Sequence, residues 1–121
     1  MSTKETKKRV LALIEMVTAG KVIEPMYEFY DELVSVQENN HPPIVGLEAN
    51  VERQKKLESG IKEPALMKAA KVIVEKNQAV IEWHMDYTMQ QGKTFHIEEL
   101  ALQTWQNGKI ISERYFYSIP K

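Results

Sequence analysis

The chain has 121 residues, with sixteen Lys plus Arg against seventeen Asp plus Glu, a net charge of −1, and no cysteine. That length suits one domain, over residues 1–121, which buries roughly two-thirds of the surface its unfolded chain exposes and needs no disulfide or metal to fold. The near-zero charge leaves no field to hold a phosphate backbone or an anionic membrane, and the absence of thiols excludes a disulfide framework, a thiolate nucleophile and sulfur-ligated zinc. Nucleic acid and membrane are therefore not expected partners, and a reducing, cytoplasmic setting is expected.

The first apolar run, Val10 to Ile14, is cut short by Glu15, so it is too brief for a secretory core or a membrane span. Val10, Leu13, Ile14 and Val17 instead form an i, i+3, i+4, i+7 stripe, the mark of an amphipathic helix. Ser2 or Thr3 can cap its start, and Ala19-Gly20 ends it. Lys4, Lys7, Lys8 and Arg9, interrupted by Glu5, read as a solvated helix face. A second short helix is expected from about Pro25 to Asp31-Glu32, with Met26, Phe29 and Tyr30 on one side. Leu33 to Glu38 alternates apolar with polar and reads as a short strand that sends Leu33 or Val34 to the core. Pro42-Pro43 stops it, and Gly46 to Gly60 forms a third helix with Leu47, Val51 and Leu57 turned inward.

Beyond Pro64 the period changes from helical to alternating. Lys71–Glu75, Gln78–Met89, Thr94–Trp105 and Lys109–Ile119 are separated by Lys76-Asn77, Gln91-Gly92-Lys93 and Asn107-Gly108, and Asn-Gly between alternating strands is a strong hairpin signal. The expected fold class is α+β: three N-terminal helices packed on a strongly curved antiparallel sheet. Period two places Ala79, Ile81, Trp83, Met85, Tyr87 and Met89 on one face of their strand, which looks inward, and Val80, Glu82, His84, Asp86 and Thr88 on the other. A three-residue Gln91-Gly92-Lys93 loop adds Phe95, Ile97, Glu99, Ala101, Gln103 and Trp105 to the inner face, and a bulged turn at Asn107-Gly108 adds Tyr115 and Tyr117. A two-residue loop reverses either assignment.

This order of elements resembles that of the nuclear-transport-factor-2-like superfamily, and several phrases resemble its SnoaL-like and ketosteroid-isomerase-like branches. They are Thr18-Ala19-Gly20, Phe29 to Glu38 (similar to "LFADDVVWED"), Pro43-Ile44-Val45-Gly46-Leu47-Glu48-Ala49 (similar to "P-x-x-G-x-E-A"), and Asn107-Gly108-Lys109-Ile110 with Tyr115-Phe116-Tyr117 (similar to "DGKI…YF"). The resemblance spans nearly the whole chain. It implies a cone-shaped, cystatin-like half barrel with a pocket, frequent homodimers through the sheet, no cofactor, and activities that range from isomerase, cyclase or dehydratase to plain ligand binding. It also sets Glu38 where ketosteroid-isomerase-like enzymes carry their proton-shuttling carboxylate. Their oxyanion tyrosine and aspartate fall at about Leu13 and Ala101, so the resemblance does not extend to steroid isomerisation.

A carboxylate shuttles protons between carbons only when poorly solvated and next to an acid. Glu38 and Glu99 are the candidate catalytic residues, and burial would raise the pKa of Glu99 toward general-acid use. Alternatively, Glu38 is a solvated strand-end carboxylate, and Glu99 hydrogen-bonds Tyr115 or pairs with Arg114. Tyr27, Tyr30, Trp83, Met85, Tyr87, Gln103, Trp105 and Tyr117 are the candidate ligand-binding residues, the polar and aromatic mix that small-molecule pockets use; the same stripe also suits a plain core.

On the outer side, His84-Met85-Asp86 and His96-Ile97-Glu98 place imidazoles and carboxylates together without a third ligand at convincing spacing, so no metal is expected. With Leu100, Leu102 and Phe116 they suit a homodimer interface sensitive to pH near the imidazole range. No phosphate-binding glycine loop, G-x-S-x-G elbow or H-E-x-x-H is present. Two functions fit: a protein that binds a small apolar ligand, with isomerase- or cyclase-type proton transfer, or a non-catalytic homodimeric association module with a vestigial pocket.

Overall fold

In a computed structural model that describes residues 1–118, the chain forms α1 (Thr3–Thr18), α2 (Ile23–Phe29), β1 (Tyr30–Glu38), β2 (Ile44–Val45), α3 (Leu47–Ser59), β3 (Ile61–Glu75), β4 (Gln78–Met89), β5 (Thr94–Gln106) and β6 (Lys109–Phe116). The six strands make one sheet in the order β2-β1-β6-β5-β4-β3. This is the expected α+β arrangement, with one difference: β1 runs parallel to β6, so the sheet is mixed. Ile119, the expected end of the last strand, lies outside the described residues.

Local chemistry explains the boundaries. The Ser2 hydroxyl accepts from the Glu5 amide while the Glu5 carboxylate accepts from the Ser2 amide, so two of the four free donors at the start of α1 are satisfied. At its other end Gly20 takes φ +90°, the left-handed conformation in which a Cβ is penalised. α2 stops at Phe29, and β1 begins at Tyr30, three residues ahead of the expected start. Val34 is wholly buried and Leu33 largely exposed, which settles the facing of that strand. β3 is ten residues longer at its start than the β-branched run alone indicates. It is an edge strand whose ladder shifts between Glu63 and Leu66, and an edge tolerates the missing donor of Pro64.

The core lies between the helices and the concave face of the sheet: Val10 and Leu13 of α1, Phe29 of α2 and Val34 of β1 meet Ile81, Ala101, Trp105 and Ile110. The rings of Phe29 and Trp105 meet edge to face at 6.2 Å, a favoured aromatic geometry. Arg9 does not belong to a merely solvated face. Its guanidinium lies 4.4 Å above the Phe29 ring and donates to the Gly108 carbonyl at 3.0 Å and to the Glu28 carbonyl at 3.1 Å, tying α1 to α2 and to the last hairpin. Among the described residues no helix is long and apolar enough to cross a membrane.

The β5–β6 hairpin decides what faces inward at the end of the chain. Its turn is the tight two-residue kind, with Gln106 opposite Lys109 and positive φ at Asn107 (52°) and Gly108 (80°). A regular ladder from that turn would send Glu113 and Tyr115 outward. Instead the register slips: Trp105 faces Ile110, but Thr104 faces Ser112, leaving Ile111 as an extra residue. This β-bulge, inside the strand and not at the turn, brings Glu113 opposite Gln103 and Tyr115 opposite Ala101, on the inner face. Deletion of Ile111 is therefore expected to reverse the facing of every later residue and to abolish cooperative thermal unfolding followed by circular dichroism; a retained sharp transition near that of the unaltered chain would contradict the assignment.

Candidate functional site

Between α1, α3 and the concave sheet lies a cavity of about 530 Å³, within the usual range for small-molecule sites. Of the residues expected to form a site, Glu38, Glu99, Tyr30, Trp83, Met85, Tyr87, Gln103 and Tyr117 all line it. Two do not. Tyr27 is half-exposed on the opposite side of α2, where its hydroxyl donates to Glu48 at 3.1 Å. Trp105 is wholly buried beneath the cavity against Phe29, because it sits next to the hairpin turn, paired with the buried Ile110 in the core rather than at the open end.

The deep end is polar. Gln103 donates from Nε2 to Glu113 at 2.7 Å, Tyr115 donates to Glu113 at 2.6 Å, and the Tyr30 hydroxyl makes a short hydrogen bond to the same carboxylate. The Trp105 indole N–H donates to Gln103 Oε1 at 3.1 Å, which orients the amide so that its NH₂ points at Glu113. Glu113 is buried, and burial pushes its carboxyl up while the three hydrogen bonds pull the other way. Burial, then the negative charge of Glu113, pushes the Tyr30 and Tyr115 hydroxyls well above their ordinary value, so both remain donors.

Toward the mouth, Glu38 forms an ion pair with Arg53 of α3. Glu38 is thus neither a free solvated carboxylate nor an isolated base. Glu99 lies in the wall between these two centres, opposite Trp83 on β4. Neither partner considered for it is engaged: Tyr115 donates to Glu113, and Arg114 stacks over Phe116 at 4.6 Å and donates to the Asn39 carbonyl at 3.1 Å. Among the described residues nothing donates a hydrogen bond to Glu99. Burial, then repulsion from Glu113 and Glu38, raises its pKa from 4.5 to about 8, with Arg53 opposing. Burial and Glu99 also raise Tyr87, and burial with the charges of Glu38 and Glu99 raises Tyr117. The outcome is a neutral carboxylic acid presented to an apolar space near neutral pH, flanked by two phenols and a matched ion pair.

Glu113 and Arg53 were not singled out by the sequence. Glu113 has the strand parity of Tyr115 and Tyr117, so that parity could have pointed to it. Asn50, Arg53, Gln54 and Leu57 share one face of α3 at i, i+3, i+4, i+7 spacing and line the cavity together. A stripe three-quarters polar does not register when only apolar periodicity is counted.

On the outer face the cross-strand register sets His84 opposite Glu98 and Asp86 opposite His96, so the expectation that each pair lacks a third ligand fails. His84, His96 and Glu98 form one cluster, whose ligand atoms lie within 4.8 Å of one another. Leu100, Leu102 and Phe116 lie on the same side and are partly exposed.

The chain matches the profile of the SnoaL-like domain over residues 1–117. No curated protein matches it in sequence. Among solved structures, a SnoaL-like protein from Jannaschia has a TM-score of 0.84 at 16% identity, covering 96% of this chain and 87% of its own. TerC, co-crystallised with polyporic acid, has a TM-score of 0.80 at 12% identity, covering 94% and 92%. A protein from Catenulispora acidiphila with a ketosteroid isomerase-like fold, in complex with trimethylamine, has a TM-score of 0.79 at 16% identity, covering 94% and 88%. At such identities the likeness is one of fold.

The state of Glu99 has a measurable consequence. Its folded pKa of about 8 stands above the ordinary 4.5, so the stability linked to its proton is fully present below pH 4.5 and is lost as pH rises through 8. A carboxyl ¹³C NMR titration is expected to give Glu99 a midpoint near 8. Glu99→Gln, which cannot ionise, is expected to gain stability relative to the unaltered chain between pH 5 and 9, on the order of 3 kcal/mol after allowance for partial solvent access. A Glu99 midpoint below 6 would contradict this reading.

Proposed function

The chain belongs to the SnoaL-like domain family, and from that premise we propose that it binds a small, largely apolar, cyclic molecule in the cavity and moves a proton on it by isomerase- or cyclase-type chemistry. The observation that carries this reading is Glu99: a carboxyl without a hydrogen-bond partner, raised to about 8, facing an apolar cavity of about 530 Å³. A structural acid of that kind is normally paired. One left neutral and unpaired suits hydrogen-bond donation to a substrate oxygen as negative charge develops there.

In a keto–enol shift, Glu99 donates its proton to the developing enolate oxygen, and the Glu38 carboxylate, positioned by Arg53, takes the proton from the neighbouring carbon. Glu38 then delivers the proton it took to a different carbon of the enol, while the enol oxygen gives its proton back to Glu99, which completes the isomerisation and restores both residues. Tyr30, held by Glu113, and Tyr87 and Tyr117 beside Glu99 are placed to orient the ring. By resemblance, the two oxyanion positions of the steroid isomerases fall at about Leu13 and Ala101, both apolar; Glu99, on the same face of β5 as Ala101 and one inward-facing position before it, acts as the donor in their place.

A second reading rests on a separate observation. Leu66, Ile73, Leu100, Leu102 and Phe116 are exposed hydrophobics, and the last three lie to one side of the histidine cluster on the outer face. This apolar area suits a second copy of the chain, and a homodimer through it needs no ligand in the cavity.

A thermal-shift screen with aromatic polyketides, steroids, small hydroxy-ketones and polyporic acid is expected to find a stabilising ligand; one at a hundred times its dissociation constant adds about 2.7 kcal/mol. For a substrate found this way, Glu99→Gln is expected to lower turnover about 10²- to 10⁴-fold while affinity changes less than about tenfold. Unchanged turnover in both Glu99→Gln and Glu38→Gln would refute the proton-transfer role. Sedimentation velocity tests the second reading: a dimer dissociated by Leu102→Glu is expected, and a monomer at high micromolar concentration would remove it.

A further inference from the structure

The outer face of the sheet carries polar chemistry that the cavity does not use. Strand periodicity puts Glu82, His84 and Asp86 of β4 and His96 and Glu98 of β5 on that side, and their antiparallel register brings them side by side. His96 donates or accepts through both ring nitrogens: Nδ1 lies 2.7 Å from Asp86 Oδ1, and Nε2 lies 2.9 Å from Glu98 Oε2. The other oxygen of Glu98 lies 3.6 Å from His84 Nε2, which is also 3.0 Å from Glu82 Oε2. The two imidazoles meet edge to face with centroids 6.0 Å apart.

We propose that His84 Nε2, His96 Nε2 and the Glu98 carboxylate form a binding site for a divalent transition-metal ion of the zinc type. Two imidazole nitrogens and one carboxylate oxygen are a ligand set for such an ion, with the fourth position open to water or to Glu82. At metal–ligand bonds of about 2.0–2.1 Å in a tetrahedron, neighbouring ligand atoms stand about 3.3 Å apart. One ligand atom from each of the three residues lies within 4.8 Å of the others, and the Nε2 atoms of His84 and His96 lie 3.6 and 2.9 Å from the Glu98 oxygens, so small side-chain rotations close the set.

Asp86 supplies what an accidental surface histidine lacks: a carboxylate on the far nitrogen of His96, which holds the ring and leaves Nε2 for the ion. The ligands stand on two hydrogen-bonded strands, not on a loop, so their backbone spacing is set by the sheet. Two opposing charges come from β3: Lys68, the strand partner of His84, and Lys71, the strand partner of Glu82. Against them stand Glu82, Asp86 and Glu98, which leave the patch net negative. An imidazole pair disfavours calcium and magnesium, which take oxygen ligands.

The test uses the full chain without an affinity tag, stripped of metal and titrated with zinc chloride by calorimetry. One zinc ion per chain is expected, with a melting temperature that rises with zinc and not with calcium chloride. Cobalt chloride is expected to give the visible absorption of a four-coordinate nitrogen–oxygen site. His84→Ala and His96→Ala should each weaken zinc binding at least a hundredfold, and Asp86→Asn should weaken it about tenfold, since it holds a ligand without being one. The altered side chains lie outside the core, so circular dichroism should show each variant folded. Zinc binding by the unaltered chain no tighter than that of the double variant His84→Ala/His96→Ala, which keeps His41, would overturn the proposal.

Discussion

The bulge at Ile111 is the constraint on which the inner chemistry depends. Without that extra residue, strand parity would turn Glu113 and Tyr115 outward, and the cavity would end in Ser112 and Arg114. With it, Glu113 meets Gln103, and its carboxylate collects hydrogen bonds from Gln103, Tyr115 and Tyr30. Those donors come from β5, β6 and the start of β1, so one buried carboxylate joins three strands at the closed end of the sheet. A lone buried charge would cost several kcal/mol; three donors and an orienting indole make it tolerable.

The same network governs Glu99. Four carboxylates, Glu38, Glu58, Glu99 and Glu113, line the cavity with two cations, and each cation is already committed: Arg53 to Glu38, and Lys21 to Glu24 at 3.6 Å, while Glu58 accepts from Gln54 at 3.0 Å. Glu113 is satisfied by donors. Glu99 has neither partner, so holding its proton is the favourable state until the solution is mildly basic. Its distinctive state therefore arises from what its neighbours have taken, and no property of residue 99 alone would produce it.

The two faces of the sheet divide the chemistry. The concave side is apolar with a few buried acids and phenols, suited to a ligand that sheds water on entry. The convex side combines apolar residues with paired histidines and carboxylates, suited to ions or to another protein surface. β4 and β5 serve both through alternation: Trp83 and Met85 face the cavity while His84 and Asp86 face outward.

Much of this was legible in the order of residues. The stripe at Val10, Leu13, Ile14 and Val17, the glycine after α1, the Asn107-Gly108 turn and the alternation of Gln78–Met89 each encode a local preference, and local preferences determined the helices, the hairpins and the inner face of β4 and β5. Eight of ten proposed ligand or catalytic side chains on that reading do line the cavity. What local pattern could not decide was which residue meets which across space. That Glu38 pairs with Arg53, that Tyr115 serves Glu113 and leaves Glu99 alone, that Trp105 sinks into the core and Tyr27 turns to Glu48, and that His84, His96 and Glu98 converge all depend on register and on packing between elements far apart in the chain. Periodicity tells a side chain which face it occupies; only the assembled sheet and the helices over it determine its neighbours, and the neighbours set its charge.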